Sequence, residues 1–171
     1  LGNALRDFKL GGAELTGPAR DRFAQIKARK AELSQQFSEH VLDATDSFTL
    51  DTDEARLAGL PADALQAARA AAQAACMPGA RLTLQMPSYL PAMRHLQDRA
   101  LRQTLYTAYI TRASELGDTT RDNSALMGEL VTLRQEEARL LGFANYAKAS
   151  LARKMAKAPE DVMAFLRDLA R

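Results

Sequence analysis

Apolar side chains recur along most of this chain at intervals of three and four residues, the spacing that places them on one face of an α-helix. The clearest run starts at Gly17 and extends to about Asp43. Pro18 suits its first turn, because the missing backbone N–H is not needed there. We therefore predict a long helix whose apolar face consists of Phe23, Ile26, Leu33, Phe37 and Val41.

Shorter segments with the same spacing fill the second half of the chain. Two helices are predicted within residues 87–117, the second starting near Asp98 and ending at Gly117. We expect one side of this second helix to carry Leu101, Leu105, Tyr109 and Arg112.

A further helix is predicted to begin after Asp122, whose carboxylate can accept hydrogen bonds from the exposed N–H groups of the first turn. Gly142 is expected to end it in the left-handed conformation. Its buried stripe should comprise Leu126, Leu130, Leu133, Leu140 and Leu141. Phe143 and Tyr146 are expected to anchor the next helix, and Pro159 to begin the last one.

Two short segments instead carry alternating, β-branched and aromatic residues, which is typical of strands. These are residues 46–52 (DSFTLDT) and 80–87 (ARLTLQMP). Between them, residues 64–75 are rich in alanine and favour a helix. The predicted fold class is mainly α: residues 1–171 form one multi-helix segment, with six or more helices and one small two-stranded β ribbon.

Composition fits one ordinary globular domain, since 47% of the 171 residues are hydrophobic and 26% are charged. The 23 basic and 21 acidic residues are spread along the whole chain, so the concentrated basic surface of a nucleic-acid-binding protein is not expected. The most apolar stretch, residues 57–77, is interrupted by polar side chains, and we expect no membrane span. The single cysteine, Cys76, fits a reducing compartment, and no signal-peptide pattern is present, so a cytoplasmic location is predicted.

Both ends of the sequence look cut. The chain starts without methionine, and its last amphipathic segment stops without a glycine or asparagine cap. We therefore expect the chain to be part of a longer protein.

Two histidine–carboxylate pairs are the candidates for metal binding. His40 lies three residues before Asp43, and His95 lies three residues before Asp98, so each pair can share one helix face. A zinc site needs three or four converging ligands, and the sequence contains no H-E-x-x-H. Solvated or capping roles are favoured over a metal site.

Nucleophilic residues give no catalytic pattern. The serines lack a G-x-S-x-G setting, and Cys76, within the alanine-rich segment, is predicted to be a small packing residue. Gly11 and Gly12 are expected to form a turn, because the lysine and glycine spacing of a phosphate loop is absent. The serines considered are Ser34, Ser38, Ser47, Ser88, Ser114, Ser124 and Ser150. No catalytic, cofactor-binding or metal-binding residue is predicted in this chain.

Charged residues on the predicted helices are interpreted as solvated. The basic segment at residues 27–30 (KARK) is offset by nearby acidic residues, which favours an exposed helix face. Arg134 and Glu137 fall on one face and are predicted to form a surface pair, which contributes about 0.3–0.5 kcal/mol at most.

The order of several longer motifs resembles a known family. YTAYITRAS (residues 106–114) is followed by DN, a leucine-rich helix ending in LLGFANYA, and KMAKAPEDVMAFL (residues 154–166). Earlier come VLDATDSFTL, LAGLP and LTLQMPSYLPAM. This succession resembles the zinc oligopeptidases of the thimet oligopeptidase and oligopeptidase A family, and the earlier motifs are similar to its bacterial oligopeptidase A branch in particular.

The resemblance implies a larger, mostly helical peptidase in two halves around a deep channel, with the zinc-binding H-E-x-x-H helix in the later half. None of the family's ligands or catalytic groups can be assigned to a residue here. The chain is therefore expected to be an upstream, non-catalytic part of the channel wall, inactive alone. Zinc and short peptide substrates are expected for the full-length parent only. The alternative is a stand-alone helical interaction module without catalysis, and a self-contained enzyme is the third hypothesis.

The final segment generates a prediction about association. Apolar side chains crowd it with no later segment to cover them, and exposed patches beyond about 300–600 Å² usually recruit a partner. We expect the chain to self-associate, or its last helix to fray from about Pro159. Light scattering and amide exchange would measure both. A strict monomer whose last helix is as well protected as residues 126–141 would contradict this and favour the interaction module.

Overall fold

The computed structural model describes residues 2–171, which form eight α-helices and one two-stranded antiparallel sheet. The predicted fold class, mainly α with one small β ribbon, is confirmed. In chain order the elements are α1 Gly2–Leu10, α2 Gly17–Ser47, β1 Thr49–Thr52, α3 Ala62–Ala74, β2 Ala80–Thr83, α4 Met86–His95, α5 Arg99–Thr111, α6 Ser124–Leu140, α7 Tyr146–Leu151 and α8 Pro159–Leu169. Over the same residues, no helix combines the length and the apolar character that crossing a membrane requires.

The chain divides into two compact units. The first contains the residues up to Gln35 together with Leu126–Arg171, and the second is Gln36–Ala125. Each unit has its own apolar cluster, so the two are described separately.

The second unit is built on the β ribbon. Its strands pair in antiparallel register from Thr49↔Thr83 to Thr52↔Ala80. On β2 the side chains of Ala80 and Leu82 are buried, and α3 packs against this strand. Alanine side chains on α3, including Ala68 and Ala72, are short enough to allow a close approach of helix and strand.

Both strands are shorter than predicted. Asp46 and Ser47 continue α2, and Met86 already belongs to α4. The alternating pattern therefore predicted the centre of the ribbon correctly. The residues predicted at its outer ends belong instead to the neighbouring helices α2 and α4.

The core of the second unit extends from the ribbon to α4 and α5. Leu82, Leu96 and Leu105 are almost fully buried, and the ring of Tyr89 on α4 stacks on Tyr109 of α5. The predicted apolar side of α5 is thus confirmed for Leu101 and Leu105.

Gly59 lets a loop lie against the end of α4. Its φ is +92°, and a Cβ atom at this position would lie 2.3 Å from the carbonyl oxygen of His95. Beside it, the N–H of Gln97 donates to the carbonyl oxygen of Ala58 at 2.9 Å. No residue with a side chain fits this approach without a backbone shift.

In the first unit, α2 and α6 bury their apolar faces together. Ile26 and Leu33 of α2 pack with Leu130 and Leu133 of α6. The stripes predicted for both helices are confirmed at these positions. Gly142 has φ +81° after α6, as expected for a helix end, and α8 begins at Pro159 as predicted.

Two features of the helices differ from the predictions. The helix α1 was not predicted, although Leu5 and Phe8 lie at helical spacing; both side chains remain exposed, at 60% and 69%. The helix α5 ends at Thr111 and not at Gly117, since Arg112 is extended and Ala113 has φ +52°.

Cys76 was wrongly predicted to pack inside a helix. It is exposed and has φ +54° in the turn after α3, where its N–H donates to the carbonyl oxygen of Gln73. By contrast, Gly11 and Gly12 form the predicted turn. Asp122 lies one residue before the N-cap position of α6, and its carboxylate accepts from the N–H of Ser124, the first residue of that helix, at 2.9 Å.

The helix α8 carries its apolar side chains at the surface. Among them Phe165 is 62% exposed and Leu169 is 69% exposed. This exposure is the feature on which the expected self-association depends, and that association stays a prediction.

The core of the second unit can be tested at Leu105, which is fully buried. Replacing Leu105 with alanine leaves a cavity, and we expect the free energy of unfolding to fall by about 2–5 kcal/mol. Leu90→Ala is the control, because Leu90 is 40% exposed and its replacement should change stability by about 0.5 kcal/mol or less. Urea unfolding measures both. Equal effects of the two substitutions would contradict this core.

Candidate functional site

The two histidine–carboxylate pairs have separate structural roles. His40 places its Nδ1 atom 2.8 Å from Oδ1 of Asn123. Asp98 is the N-cap of α5, accepting from the N–H of Leu101 at 3.0 Å, and it pairs with Arg56 at 2.9 Å. These hydrogen bonds lower the pKa of the Asp98 carboxyl group, with the Leu101 N–H as the largest cause. Between residues 2 and 171, no three histidine, cysteine or acidic side chains come together as a metal site.

Asn123 is a buried polar residue that sequence reasoning missed. Its side chain is 1% exposed, and its Nδ2 donates to the carbonyl oxygen of Phe37 at 3.2 Å while Oδ1 faces His40. Its backbone N–H donates to the carbonyl oxygen of Ala113. The amide therefore fixes the segment before α6 against the end of α2. The sequence feature that could have indicated this role is the position of Asn123 in the DN pair directly before a predicted helix.

The basic segment at residues 27–30 is paired with acidic side chains of α6, within the first unit. Arg29 binds Glu129 with two hydrogen bonds of 2.7 and 3.0 Å, and Lys27 and Lys30 both pair with Glu137. The predicted exposed face is confirmed for residues 27–29, whereas the pairing with α6 was not predicted, because partners more than 90 residues away in sequence cannot be found from local spacing. The guanidinium of Arg29 lowers the pKa of Glu129 through these hydrogen bonds.

The predicted surface pair of Arg134 and Glu137 was also wrong. Glu137 is 7% exposed and faces the two lysines of α2. The guanidinium of Arg134 lies 5.3 Å from the ring centre of Tyr146. Arg22 adds a further two-point contact to α6, with Nε and Nη2 donating to Glu136 at 2.6 and 2.7 Å.

The first unit also has a wide, shallow groove of about 790 Å³ between α1 and α2. It is mainly apolar, with Phe8 and Phe23 among its lining residues. No group of reactive side chains lines it, so it does not form a site for chemistry.

A smaller cavity in the second unit brings several polar groups together. It has a volume of about 370 Å³, and we call it the Arg112 cavity. Its lining includes the charged side chains of Arg112, Arg121 and Asp118 and the apolar side chains of Phe48 and Leu84.

The irregular end of α5 forms one wall of the Arg112 cavity. After Thr111 the chain becomes extended at Arg112 and left-handed at Ala113. It then folds back so closely that a Cβ atom at Gly117 would lie 2.6 Å from the carbonyl oxygen of Thr111. The hydroxyl of Ser114 donates to the same carbonyl at 2.7 Å, which holds this turn against the helix.

Arg112 is held by aromatic stacking. Its guanidinium carbon lies 3.6 Å from the ring centre of Tyr109, and Tyr109 stacks on Tyr89 with ring centres 4.2 Å apart. Nη1 of Arg112 donates to the carbonyl oxygen of Tyr109 at 2.6 Å. Burial, followed by the neighbouring Tyr109 and Tyr106, raises the pKa of Tyr89. The three stacked groups therefore restrict the guanidinium to one position.

The two arginines of the cavity differ in how their charge is balanced. Arg121 donates from Nη1 to Asp118 and to the hydroxyl of Ser47, both at 3.1 Å. Arg112 forms no ion pair with any carboxylate of the described chain, and its Nε is buried without an acceptor. The uncompensated positive charge of the cavity thus comes from Arg112.

Comparison with known proteins shows which family this chain resembles. Residues 92–171 match the sequence profile of peptidase family M3. Over 172 residues the chain is 51% identical to oligopeptidase A of Salmonella typhimurium, a match that covers 99% of this chain and 25% of that protein.

Two other relatives extend the comparison. The probable cytosolic oligopeptidase A of Arabidopsis thaliana is 42% identical over 163 residues, covering 89% of this chain and 22% of that protein. Dipeptidyl carboxypeptidase of Salmonella typhimurium is 36% identical over 164 residues, covering 95% of this chain and 24% of that protein. The family resemblance predicted from the motifs is confirmed: the chain is a relative of the oligopeptidase A proteins. It spans about a quarter of the length of the curated relatives it matches.

The buried amide at Asn123 provides a test of the second unit. Asn123→Ala leaves the carbonyl oxygen of Phe37 and the ring of His40 without their partner, and we expect a loss of about 1–3 kcal/mol in the free energy of unfolding. Asn3→Ala is the control, because the side chain of Asn3 is exposed and bonds only to Arg6 of its own helix. Urea unfolding measures both; if Asn123→Ala is no more destabilising than the control, the buried contact has no structural importance.

Proposed function

We propose that this chain is a non-catalytic portion of a cytoplasmic, zinc-dependent oligopeptidase, where it forms part of the wall of the peptide channel and is inactive alone. The observation that carries this proposal is the 51% identity to oligopeptidase A over 99% of the chain, within a relative four times as long. The chain contributes no H-E-x-x-H motif, so the hydrolytic groups belong elsewhere in the parent protein.

The residues of this chain do not fit a zinc ion. The sequence has two histidines, and His40 already uses Nδ1 in the contact with Asn123. His95 lies at the exposed end of α4, where its carbonyl oxygen faces Gly59. A zinc site with three protein ligands cannot be assembled from these groups. The proposed metal is therefore a property of the full-length parent.

The helix pairing in the first unit supports a structural role. Arg22 and Arg29 of α2 each bind a carboxylate of α6 with two hydrogen bonds, and the same helices share an apolar cluster. Two-point guanidinium–carboxylate contacts are geometrically specific, so they fix the two helices in one relative register. Stiff, paired helices are suited to a channel wall that admits extended peptides and excludes folded proteins.

Exposed apolar side chains on several helices also support the role of a part within a larger protein. On α5, Tyr106 and Ile110 are 49% and 55% exposed, and Met155 before α8 is fully exposed. Surfaces of this kind are typical of regions that contact another part of a protein or a ligand.

The proposal is tested by comparing this chain with the longer protein encoded by its reading frame. We expect the longer protein to cleave a short fluorogenic peptide and to lose this activity with a zinc chelator. The chain alone should cleave nothing, and elemental analysis should find no stoichiometric zinc in it.

The controls separate the alternatives. A longer protein in which the glutamate of H-E-x-x-H is replaced by glutamine should be inactive, which excludes a contaminating protease. Chelator-sensitive cleavage by the chain alone would overturn the proposal. A reading frame that stops after Arg171 would also overturn it and would favour the interaction module.

A further inference from the structure

We infer that the Arg112 cavity binds the carboxylate end of a peptide whose last side chain is apolar. This inference rests on the proposed function, because it assigns to the wall segment a defined contact with a peptide. It adds a binding site, formed entirely within the second unit.

The charge of Arg112 is the first argument. A guanidinium is charged at every physiological pH, and in proteins it normally faces a carboxylate or phosphate. Arg112 lines the cavity without such a partner, whereas the neighbouring Arg121 is balanced by Asp118. The cavity therefore has one uncompensated positive charge, which a single carboxylate would neutralise.

The fixed position of Arg112 is the second argument. Its contacts with Tyr109, at 3.6 Å to the ring centre and 2.6 Å to the carbonyl oxygen, leave Nη2 without an acceptor in the described chain. Because the side chain is already immobilised, a bound carboxylate would gain a charge-assisted hydrogen bond with little further loss of side-chain entropy.

The apolar part of the lining gives the third argument. Phe48 and Leu84 line the cavity together with alanines, and Phe48 is only partly buried, so its ring has surface that a ligand can cover. An aliphatic side chain next to the bound carboxylate would be buried against these groups. The volume of about 370 Å³ is sufficient for one terminal residue and its carboxylate.

Asp118 distinguishes a carboxylate from a phosphate as the ligand. Its own carboxylate lines the same cavity and already binds Arg121. A phosphate carries about two negative charges at neutral pH and would meet only one uncompensated cation. A peptide terminus carries one negative charge, which matches the one unpaired positive charge of the cavity.

The test compares two forms of one peptide on the purified chain of 171 residues. The probes are fluorescein-labelled Ala-Ala-Leu with a free carboxylate and the same peptide with a C-terminal amide. We expect the acid to bind at least about tenfold more tightly than the amide, by fluorescence anisotropy, since hydrogen bonds to charged groups are the stronger kind. Equal affinity of the two forms in the unmodified protein would overturn the inference without any variant.

Substitutions then test whether Arg112 is the residue that binds the peptide carboxylate. Arg112→Gln should abolish the preference for the acid, and Arg112→Lys should retain part of it, because the charge remains while the planar fork is lost. Arg94→Gln is the matched control: Arg94 is exposed on α4 and does not line the cavity, so the preference should be unchanged. A merely structural role of Arg112 would weaken acid and amide equally, and that result would contradict carboxylate binding.

Two further probes define the ligand. A peptide amidated at its end but carrying glutamate as the last residue should bind no better than the amidated leucine peptide. Tight binding of that peptide, or of inorganic phosphate in competition, would contradict a site for the peptide terminus. If the longer protein cleaves peptides but this chain shows no preference for the acid, only the present inference fails. If the longer protein is inactive, the proposed function fails, and binding by the chain remains a separate result.

Discussion

Burial of one face of the β ribbon is the constraint on which the second unit depends. Two strands of four residues are not stable alone in water, so the ribbon forms only where helices cover it. Alanines of α3 supply that cover at β2, and Leu82 and Leu84 extend the same core towards α4 and α5. The stack of Tyr89 on Tyr109 lies on this core, and it fixes the position of Arg112.

The basic side chains of the two units differ in whether a carboxylate pairs with them. In the first unit Arg22, Lys27, Arg29 and Lys30 of α2 all pair with carboxylates of α6. These pairs are partly exposed, so they contribute mainly to the relative register of the helices and little to stability. In the second unit Arg112 is fixed without a carboxylate partner, which is why this position is suited to a ligand and the paired positions are not.

The similarity to oligopeptidase A suggests how the paired helices and the Arg112 cavity could serve one protein. The chain spans a quarter of its relatives, and the proposed function assigns it a contribution of shape and contacts to a longer peptidase. In the proposed role the paired helices would form a stiff part of the channel wall, and Arg112 on its aromatic stack would hold a peptide end. The two roles are compatible, because neither requires a reactive side chain.

The sequence by itself determined the fold class, the positions of the ribbon and the buried faces of α2, α5 and α6, since these depend on local spacing of apolar residues. The helix α1 was not predicted, because its few apolar residues at helical spacing form only a short pattern, and the structure buries none of them. Only the tertiary structure decided which charges are paired, because the partners of residues 27–30 lie on α6, about 100 residues further along the chain. It also decided the candidate site: Arg112 was placed on a helix face by spacing, yet α5 ends one residue earlier, and its guanidinium lies on Tyr109, which packing of α4 against α5 stacks on Tyr89.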